Sequence, residues 1–106
     1  MSSGGGDTPI RWGEGAGTGN DCDLNFQSEL LNPDPEEASN VEPGTQLRVH
    51  LDEGQQSVLV MRAERRVGSI GTNVAALIRC LRIGNTYKAD VLTKNGGQIM
   101  VQVSRS

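Results

Sequence analysis

The residues best suited to chemistry in this chain are seven bases in its C-terminal half. Arg and Lys side chains bind phosphate groups, Arg through a planar fork of donors and Lys as a point charge. Three of them cluster at a predicted bend, two are neighbours on a predicted helix, and two lie in the last predicted hairpin. They form a candidate nucleic-acid or anion surface, made of Arg62, Arg65, Arg66, Arg79, Arg82, Lys88 and Lys94. The alternative is structural, with Arg79 and Arg82 stabilising a helix C-terminus and the bend simply solvated.

The charge of the chain is divided between two unlike halves, although the formal net charge is only −3. Residues 1–43 carry nine acids against Arg11 alone, and residues 44–106 carry nine bases against four acids. The halves are therefore −8 and +5. This division predicts either an acidic arm that shields a cationic surface or two segments with separate partners.

The chain contains no motif of catalysis or metal binding. His50 is the single histidine, and strand alternation places it on a polar face, so no catalytic triad is evident. Two cysteines and one histidine supply at most three zinc ligands, without the close spacing of zinc sites. The acid pairs Asp21/Asp23 and Glu36/Glu37 lie in or beside segments with flexible composition. We predict no enzyme activity, no metal and no cofactor.

Two glycine-containing stretches have some features of phosphate loops. Residues 13–19 alternate glycine with other residues but fit G-x-G-x-x-G in no frame, which is typical of a linker. Residues 68–73 join a short strand to a helix N-terminus, where free amides can hold an anion, but this stretch lacks the P-loop lysine. Ordinary capping of the helix by Thr72 or Asn73 is the alternative interpretation.

The two cysteines, Cys22 and Cys80, are predicted to be reduced and mostly buried. The first twenty residues are polar and Gly-rich without the apolar core of a signal peptide, and no run is long enough to span a membrane. These observations favour a soluble, cytoplasmic protein, in which structural disulfides are rare.

Composition divides the chain into a leader and one small domain. Residues 1–20 hold seven of the fourteen glycines, which predicts a flexible, disordered leader, because such a sequence cannot offset the entropy cost of ordering. Residues 21–106 are predicted to form a single β-rich domain. Within it, residues 32–43 are expected to be an acidic, extended connector, because Pro33 and Pro35 disfavour helical geometry in the residues before them.

Hydrophobic periodicity predicts a mainly β fold with one helix (α+β), either a small antiparallel sheet or an open barrel. Its elements follow the order β-ββ-β-α-ββ. The helix has apolar residues at i, i+3, i+4 and i+7, with Gly84 placed to end it, and Asn95-Gly96-Gly97 marks the last hairpin turn. The predicted segments are 22–26, 46–51 with 58–61, 67–71, the helix 74–81, and 87–91 with 99–103.

Residues 67–70, the helix 75–81 and the stretch Gly84 to Val91 resemble the C-terminal half of HIRAN domains. The resemblance covers under half of the chain. It implies a small β-barrel of a family that occurs in helicase-like remodelling proteins and as stand-alone bacterial proteins, and whose best-studied members bind DNA ends. The family's Asn/Asp-rich stretch and following Ala-Val strand are missing between Asp52 and Val60, so no binding residue is transferred from the family.

Two binding functions follow from these observations. The first is a non-enzymatic protein-interaction or assembly module that exposes a sheet edge, through the strand 22–26, to a partner protein or a second copy. The alternative is a HIRAN-like nucleic-acid-binding domain. Its binding should be weak and salt-sensitive, because the patterned body offers only Tyr87 for base stacking and alternation predicts that Tyr87 is buried.

Overall fold

The computed structural model describes residues 21–106, and the predicted leader, residues 1–20, lies outside the described residues. The described part contains six strands and two helices. In chain order they are β1 (Asn25–Leu31), α1 (Pro35–Ala38), β2 (Gln46–Asp52), β3 (Ser57–Arg62), β4 (Arg65–Ile70), α2 (Val74–Arg82), β5 (Tyr87–Asn95) and β6 (Gln98–Arg105).

The six strands close into an antiparallel barrel in the spatial order β1-β4-β3-β2-β5-β6. The closing contact pairs β6 with β1, in a register that sets Ser28 opposite Val101. The β1–β4 contact is short and joins Leu30 with Ile70 and Leu31 with Ser69. The fold is thus mainly β, as predicted. The barrel is closed rather than open, because β1 pairs with β4 on one side and with β6 on the other.

Strand alternation fills the barrel with aliphatic side chains. Leu47 and Val49 on β2 and Val58 and Val60 on β3 are buried in the barrel. His50, which follows Val49, is exposed, as alternation predicts. Among residues 21–106, Tyr87 is the one aromatic residue in the buried core. Burial of each large aliphatic side chain is worth about 1.5–3 kcal/mol. The core is therefore stabilised by many aliphatic side chains in place of aromatic ones.

The single-helix prediction is wrong because the acidic connector contains the short helix α1. Asp34 is its N-cap, and Asp34 Oδ1 accepts hydrogen bonds from the amides of Glu36 (2.9 Å) and Glu37 (3.1 Å). Pro35 occupies the first turn, where its missing N–H costs nothing. The predicted order β-ββ-β-α-ββ therefore lacks α1, which follows the first strand. The Asp34 amide also donates to the carbonyl of Val67 at 2.8 Å, which fixes the connector to β4.

The predicted helix is present as α2, which buries Leu77 and Cys80 against the barrel. It ends as predicted, with Gly84 at φ +103° and its amide donating to the carbonyl of Leu81. Its start differs from the prediction. Asn73 is the N-cap in a left-handed conformation, and its side chain makes no capping hydrogen bond.

Cys22 and Cys80 form a disulfide, so the prediction of two reduced thiols is wrong. Their Cα atoms lie 5.5 Å apart although 58 positions separate them in sequence, a proximity that spacing alone does not reveal. Cys22 thus lies in a turn before β1, which begins three residues later than predicted. Because disulfides persist in oxidising compartments, cysteine usage no longer supports the cytoplasmic expectation.

Among residues 21–106, no helix has the length and apolar character needed to cross a membrane.

Candidate functional site

The basic bend carries three of the predicted site residues, and two of them, Arg62 and Arg65, pair with one buried acid. Glu37 on α1 is 4% exposed. Its Oε1 lies 3.0 Å from Arg62 Nε, and its Oε2 lies 3.3 Å from Arg65 Nε. Arg65 also approaches the exposed Glu36 at 3.8 Å. The acidic connector therefore covers the bend and neutralises two of the bases proposed to meet phosphates.

Two further predicted bases also have acidic partners. Lys94 Nζ lies 3.8 Å from Glu42 and donates to the carbonyl of Val41 at 3.0 Å, which joins β5 to the connector. Arg82 Nη2 lies 2.9 Å from the carboxylate of Glu53. The hydrogen bond to Glu53, followed by its negative charge, raises the pKa of Arg82 above the usual arginine value.

The remaining predicted bases, Arg66, Arg79 and Lys88, have no acidic side chain within 4.0 Å among residues 21–106. They lie in separate depressions of the surface. Lys88 lies beside Arg48, its cross-strand partner, which sequence reasoning did not select. Arg66 borders a polar cleft of about 590 Å³ that Asp52 also lines. The structure therefore does not gather the seven bases into one surface.

The candidate anion site before α2 is partly used by the fold itself. The amide of Gly71 donates to Ser28 Oγ at 3.4 Å, which connects this segment to β1. Within residues 21–106, no three His, Cys, Asp or Glu side chains lie close enough to hold a metal ion.

An apolar groove with basic walls runs along the outer face of α2. It has a volume of about 410 Å³. Ile83, at the helix C-cap, is 71% exposed, and Ile78 beside it is only partly buried. We call this feature the α2 groove; its lining residues are Gln56, Ala75, Ile78, Arg79, Arg82 and Ile83.

Helical periodicity explains why these residues share one face. Positions 75, 78, 79, 82 and 83 recur at i, i+3, i+4, i+7 and i+8, the spacing of a single helical stripe. This stripe lies beside the buried one that contains Leu77 and Cys80. The buried stripe and the two arginines were predictable from the sequence, but Ile83 was missed; its position directly before Gly84, at the end of the predicted helix, was the available signal.

The walls of the α2 groove hold two positive charges in different states. Arg82 is fixed across the groove, because its Nη2 donates to Gln56 Oε1 at 3.0 Å as well as to Glu53. Arg79 is exposed and has no acidic partner among residues 21–106. An apolar floor beside a guanidinium that no described acid neutralises suits a ligand that presents an aliphatic or aromatic side chain next to a carboxylate.

Comparisons of this chain with family models, curated proteins and solved structures found no match.

Proposed function

We propose that the protein is a non-enzymatic protein-interaction module, which binds an acidic, apolar segment of a partner in the α2 groove. The exposure of Ile83 beside Arg79 is the observation that carries this proposal. Full burial of an isoleucine side chain is worth about 1.5–3 kcal/mol. Ile83 is 71% exposed, so covering the rest of it can strengthen binding about 5- to 30-fold.

Arg79 gives the groove its selectivity, because Arg82 is already paired with Glu53. A carboxylate on the partner can form a charge-assisted hydrogen bond with Arg79 without displacing an existing partner among the described residues. Charged groups at the rim of an interface mainly set association rate and partner choice. We therefore expect the apolar residue of the partner to supply most of the affinity and its acid to supply the specificity.

Docking on a helix face fits this fold better than strand addition. Each of the six described strands has a strand neighbour on both sides, because the barrel is closed. Barrel closure removes the free edges that strand addition requires. The sheet-edge route expected from the sequence therefore lacks a free strand among residues 21–106.

Peptide display against the intact, oxidised protein tests the proposal. We expect enrichment of peptides that place a large apolar residue near Asp or Glu, with binding reduced about tenfold or more by Ile83→Asp. Leu92→Asp is the matched control, since Leu92 is another exposed large apolar residue but lies on β5, outside the α2 groove. Selected peptides that bind wild type and Ile83→Asp equally would contradict the proposal.

The second candidate is the HIRAN-like nucleic-acid-binding function. Its support is the pair of adjacent bases Arg48 and Lys88 on neighbouring strands, together with the exposed Arg66. Four of the seven predicted bases already have acidic partners, which argues for weak binding. Fluorescence anisotropy with a labelled single-stranded oligonucleotide separates the two functions. Saturable, salt-sensitive binding that Arg66→Ala and Lys88→Ala weaken, and Ile83→Asp does not, would favour nucleic acid.

A further inference from the structure

We propose that the polar cleft beside Arg66 binds a small zwitterion, a molecule that carries both a carboxylate and an ammonium group. Free amino acids and short peptides belong to this chemical class. Because the cleft shares no lining residue with the α2 groove, this site is independent of the proposed function. We call it the Arg66 cleft; its lining residues are Asn32, Asp52, Gln55, Ser57, Leu59, Arg66 and Ser69.

The Arg66 cleft lies on the outer face of three neighbouring strands. Asp52 ends β2, while Ser57 and Leu59 lie on β3 and Ser69 lies on β4 with Arg66. The register pairs Asp52 with Ser57 and Leu59 with Ser69, so these side chains share one face of the sheet. Two strand spacings, about 9–10 Å, separate β2 from β4. A carboxylate and a guanidinium therefore border the cleft from opposite sides, with β3 as its floor.

A β-bulge turns Arg66 toward this outer face. The register pairs Val60 with Gly68 but Met61 with Arg66, so β4 contains one extra residue, Val67. Without that residue, alternation would direct Arg66 to the same side as Val60, which is buried in the barrel. Bulges re-aim side chains in this way beside functional sites. The bulge thus gives the cleft an exposed guanidinium.

The two charges of the Arg66 cleft do not neutralise each other. Among residues 21–106, no acidic side chain lies within 4.0 Å of the Arg66 guanidinium, and Asp52 is no exception. The Asp52 carboxylate is held in place, because its Oδ1 accepts hydrogen bonds from the amides of Gly54 (3.1 Å) and Gln55 (3.4 Å). Within the described residues Asp52 Oδ2 accepts no hydrogen bond, so it is available to a ligand.

Two separated charges of opposite sign favour a zwitterion over an ion of either sign. A carboxylate can accept charge-assisted hydrogen bonds from Arg66, and an ammonium group can donate to Asp52 Oδ2. An anion without an ammonium group, such as phosphate, would be repelled by Asp52, and a simple cation would be repelled by Arg66.

The other lining residues suit the middle of such a ligand. Leu59 is only partly buried, so it offers apolar surface to a short carbon chain. Asn32 and Gln55 supply amide groups and Ser57 supplies a hydroxyl, each of which can both donate and accept hydrogen bonds. Because Asn32, Gln55 and Arg66 are exposed, the site is open to solvent and its affinity should be modest.

Amide NMR spectra of the isotope-labelled, oxidised, full-length protein test the site. The probes are glycine, β-alanine and γ-aminobutyrate, which space the two charges differently. We expect at least one of them to shift the amide signals of Gly54 and Gln55 saturably, with a Kd on the order of millimolar. The matching carboxylate and amine, each of which lacks the other charge, should bind about tenfold more weakly or not at all.

Two variants remove one charge each and should leave the barrel intact, which circular dichroism verifies. Asp52→Asn keeps the oxygen that accepts the turn hydrogen bonds, and Arg66→Gln removes a guanidinium without an acidic partner among residues 21–106. Each should weaken binding of the zwitterion about tenfold or more. Lys88→Gln is the matched control, because Lys88 is a base outside the Arg66 cleft, and it should leave the Kd unchanged.

Three outcomes would overturn the inference. The first is the absence of saturable shifts with all three zwitterions, and the second is equal affinity for γ-aminobutyrate and for butyrate or butylamine. The third is binding of inorganic phosphate as tight as that of the best zwitterion, since the cleft would then be a simple anion site. Binding that requires both charges of the ligand, together with Asp52 and Arg66, supports the assignment.

Discussion

The carboxylate of Glu37 lies 3.0 Å from Nε of Arg62, and this contact joins the acidic and basic halves of the chain. Glu37 lies on α1 in the connector, and Arg62 ends β3 at the basic bend. The charge division seen in the sequence therefore becomes local pairing within the fold. This pairing gives the acidic connector a structural role and reduces the cationic surface left for an anionic ligand.

Glu37→Gln should destabilise the protein by about 1–3 kcal/mol, because the amide keeps the size of the side chain but removes the charge that Arg62 and Arg65 share. Glu37 is buried, so water cannot take over the lost interactions. Urea denaturation of the oxidised protein measures the effect as a lower midpoint at unchanged slope.

Glu36→Gln is the matched control for this prediction. Glu36 is the preceding residue, but it is exposed and approaches Arg65 only at 3.8 Å. Exposed ion pairs contribute about 0–1 kcal/mol, so the midpoint should barely move. Equal effects of the two substitutions would mean that burial of Glu37 has no energetic consequence.

Reduction of the Cys22–Cys80 disulfide should lower the free energy of unfolding by about 4 kcal/mol. The bond closes a loop with a sequence separation of 58, and chain-entropy theory gives this magnitude for such a loop. The measurement is urea denaturation with and without reductant. The double variant Cys22→Ala/Cys80→Ala is the control, because its unfolding midpoint should not respond to the reductant. Free-thiol titration of the denatured protein without reductant should find no reactive thiol, and two reactive thiols would contradict the assignment.

The residues that periodicity governs were predictable, and those fixed by tertiary contact were not. The β2–β3 and β5–β6 hairpins and the helix α2 follow the predicted patterns, because alternation and the Asn95-Gly96 turn are local signals. The helix α1 was missed although Asp34-Pro35 is a common helix start, because the prolines were interpreted only as helix breakers. Four residues also provide too little periodicity to reveal a helix.

The candidate site was harder to predict than the fold. Arg79 and Arg82 were selected for their charge, but the exposure of Ile83 depends on how α2 lies against the barrel. The pairing of Cys22 with Cys80 depends on the turn before β1 lying beside α2, a long-range arrangement that no local pattern encodes. The buried position of Glu37 likewise depends on the docking of the connector onto β4.

The stability of the protein should fall at alkaline pH because Tyr87 titrates with difficulty in the folded state. Burial, the dominant cause, raises the pKa of Tyr87 above its ordinary value of 10.0. The folded state therefore binds this proton more tightly than the unfolded state does. The contribution of Tyr87 to the free energy of unfolding should be constant below pH about 10. It should decline as the pH rises above that value, where the phenol ionises first in the unfolded state.

Tyr87 is the only tyrosine, so tyrosinate absorbance reports its ionisation directly. The absorbance midpoint should lie above that of the denatured protein. Tyr87→Phe should remove the alkaline decline attributable to this group, while costing about 1–3 kcal/mol at neutral pH, since the hydroxyl donates to the carbonyl of Cys22. Identical midpoints in the folded and denatured protein would contradict the burial of the phenol.

Gly68→Ala should destabilise the barrel by about 1–3 kcal/mol, because Gly68 lies where β4 meets β1. A Cβ at this position would lie 3.1 Å from Cβ of Leu30 and 3.2 Å from the carbonyl oxygen of Leu31, which is tighter than ordinary packing. Relief of that contact would have to move β1 away from β4, and only two residue pairs hold this seam. Gly97→Ala is the matched control, since its Cβ would meet nothing within 4 Å, and the change should stay within about 0.5 kcal/mol. Urea denaturation with the disulfide intact compares the two, and equal midpoints would show that the β1–β4 seam adapts without cost to an added methyl group.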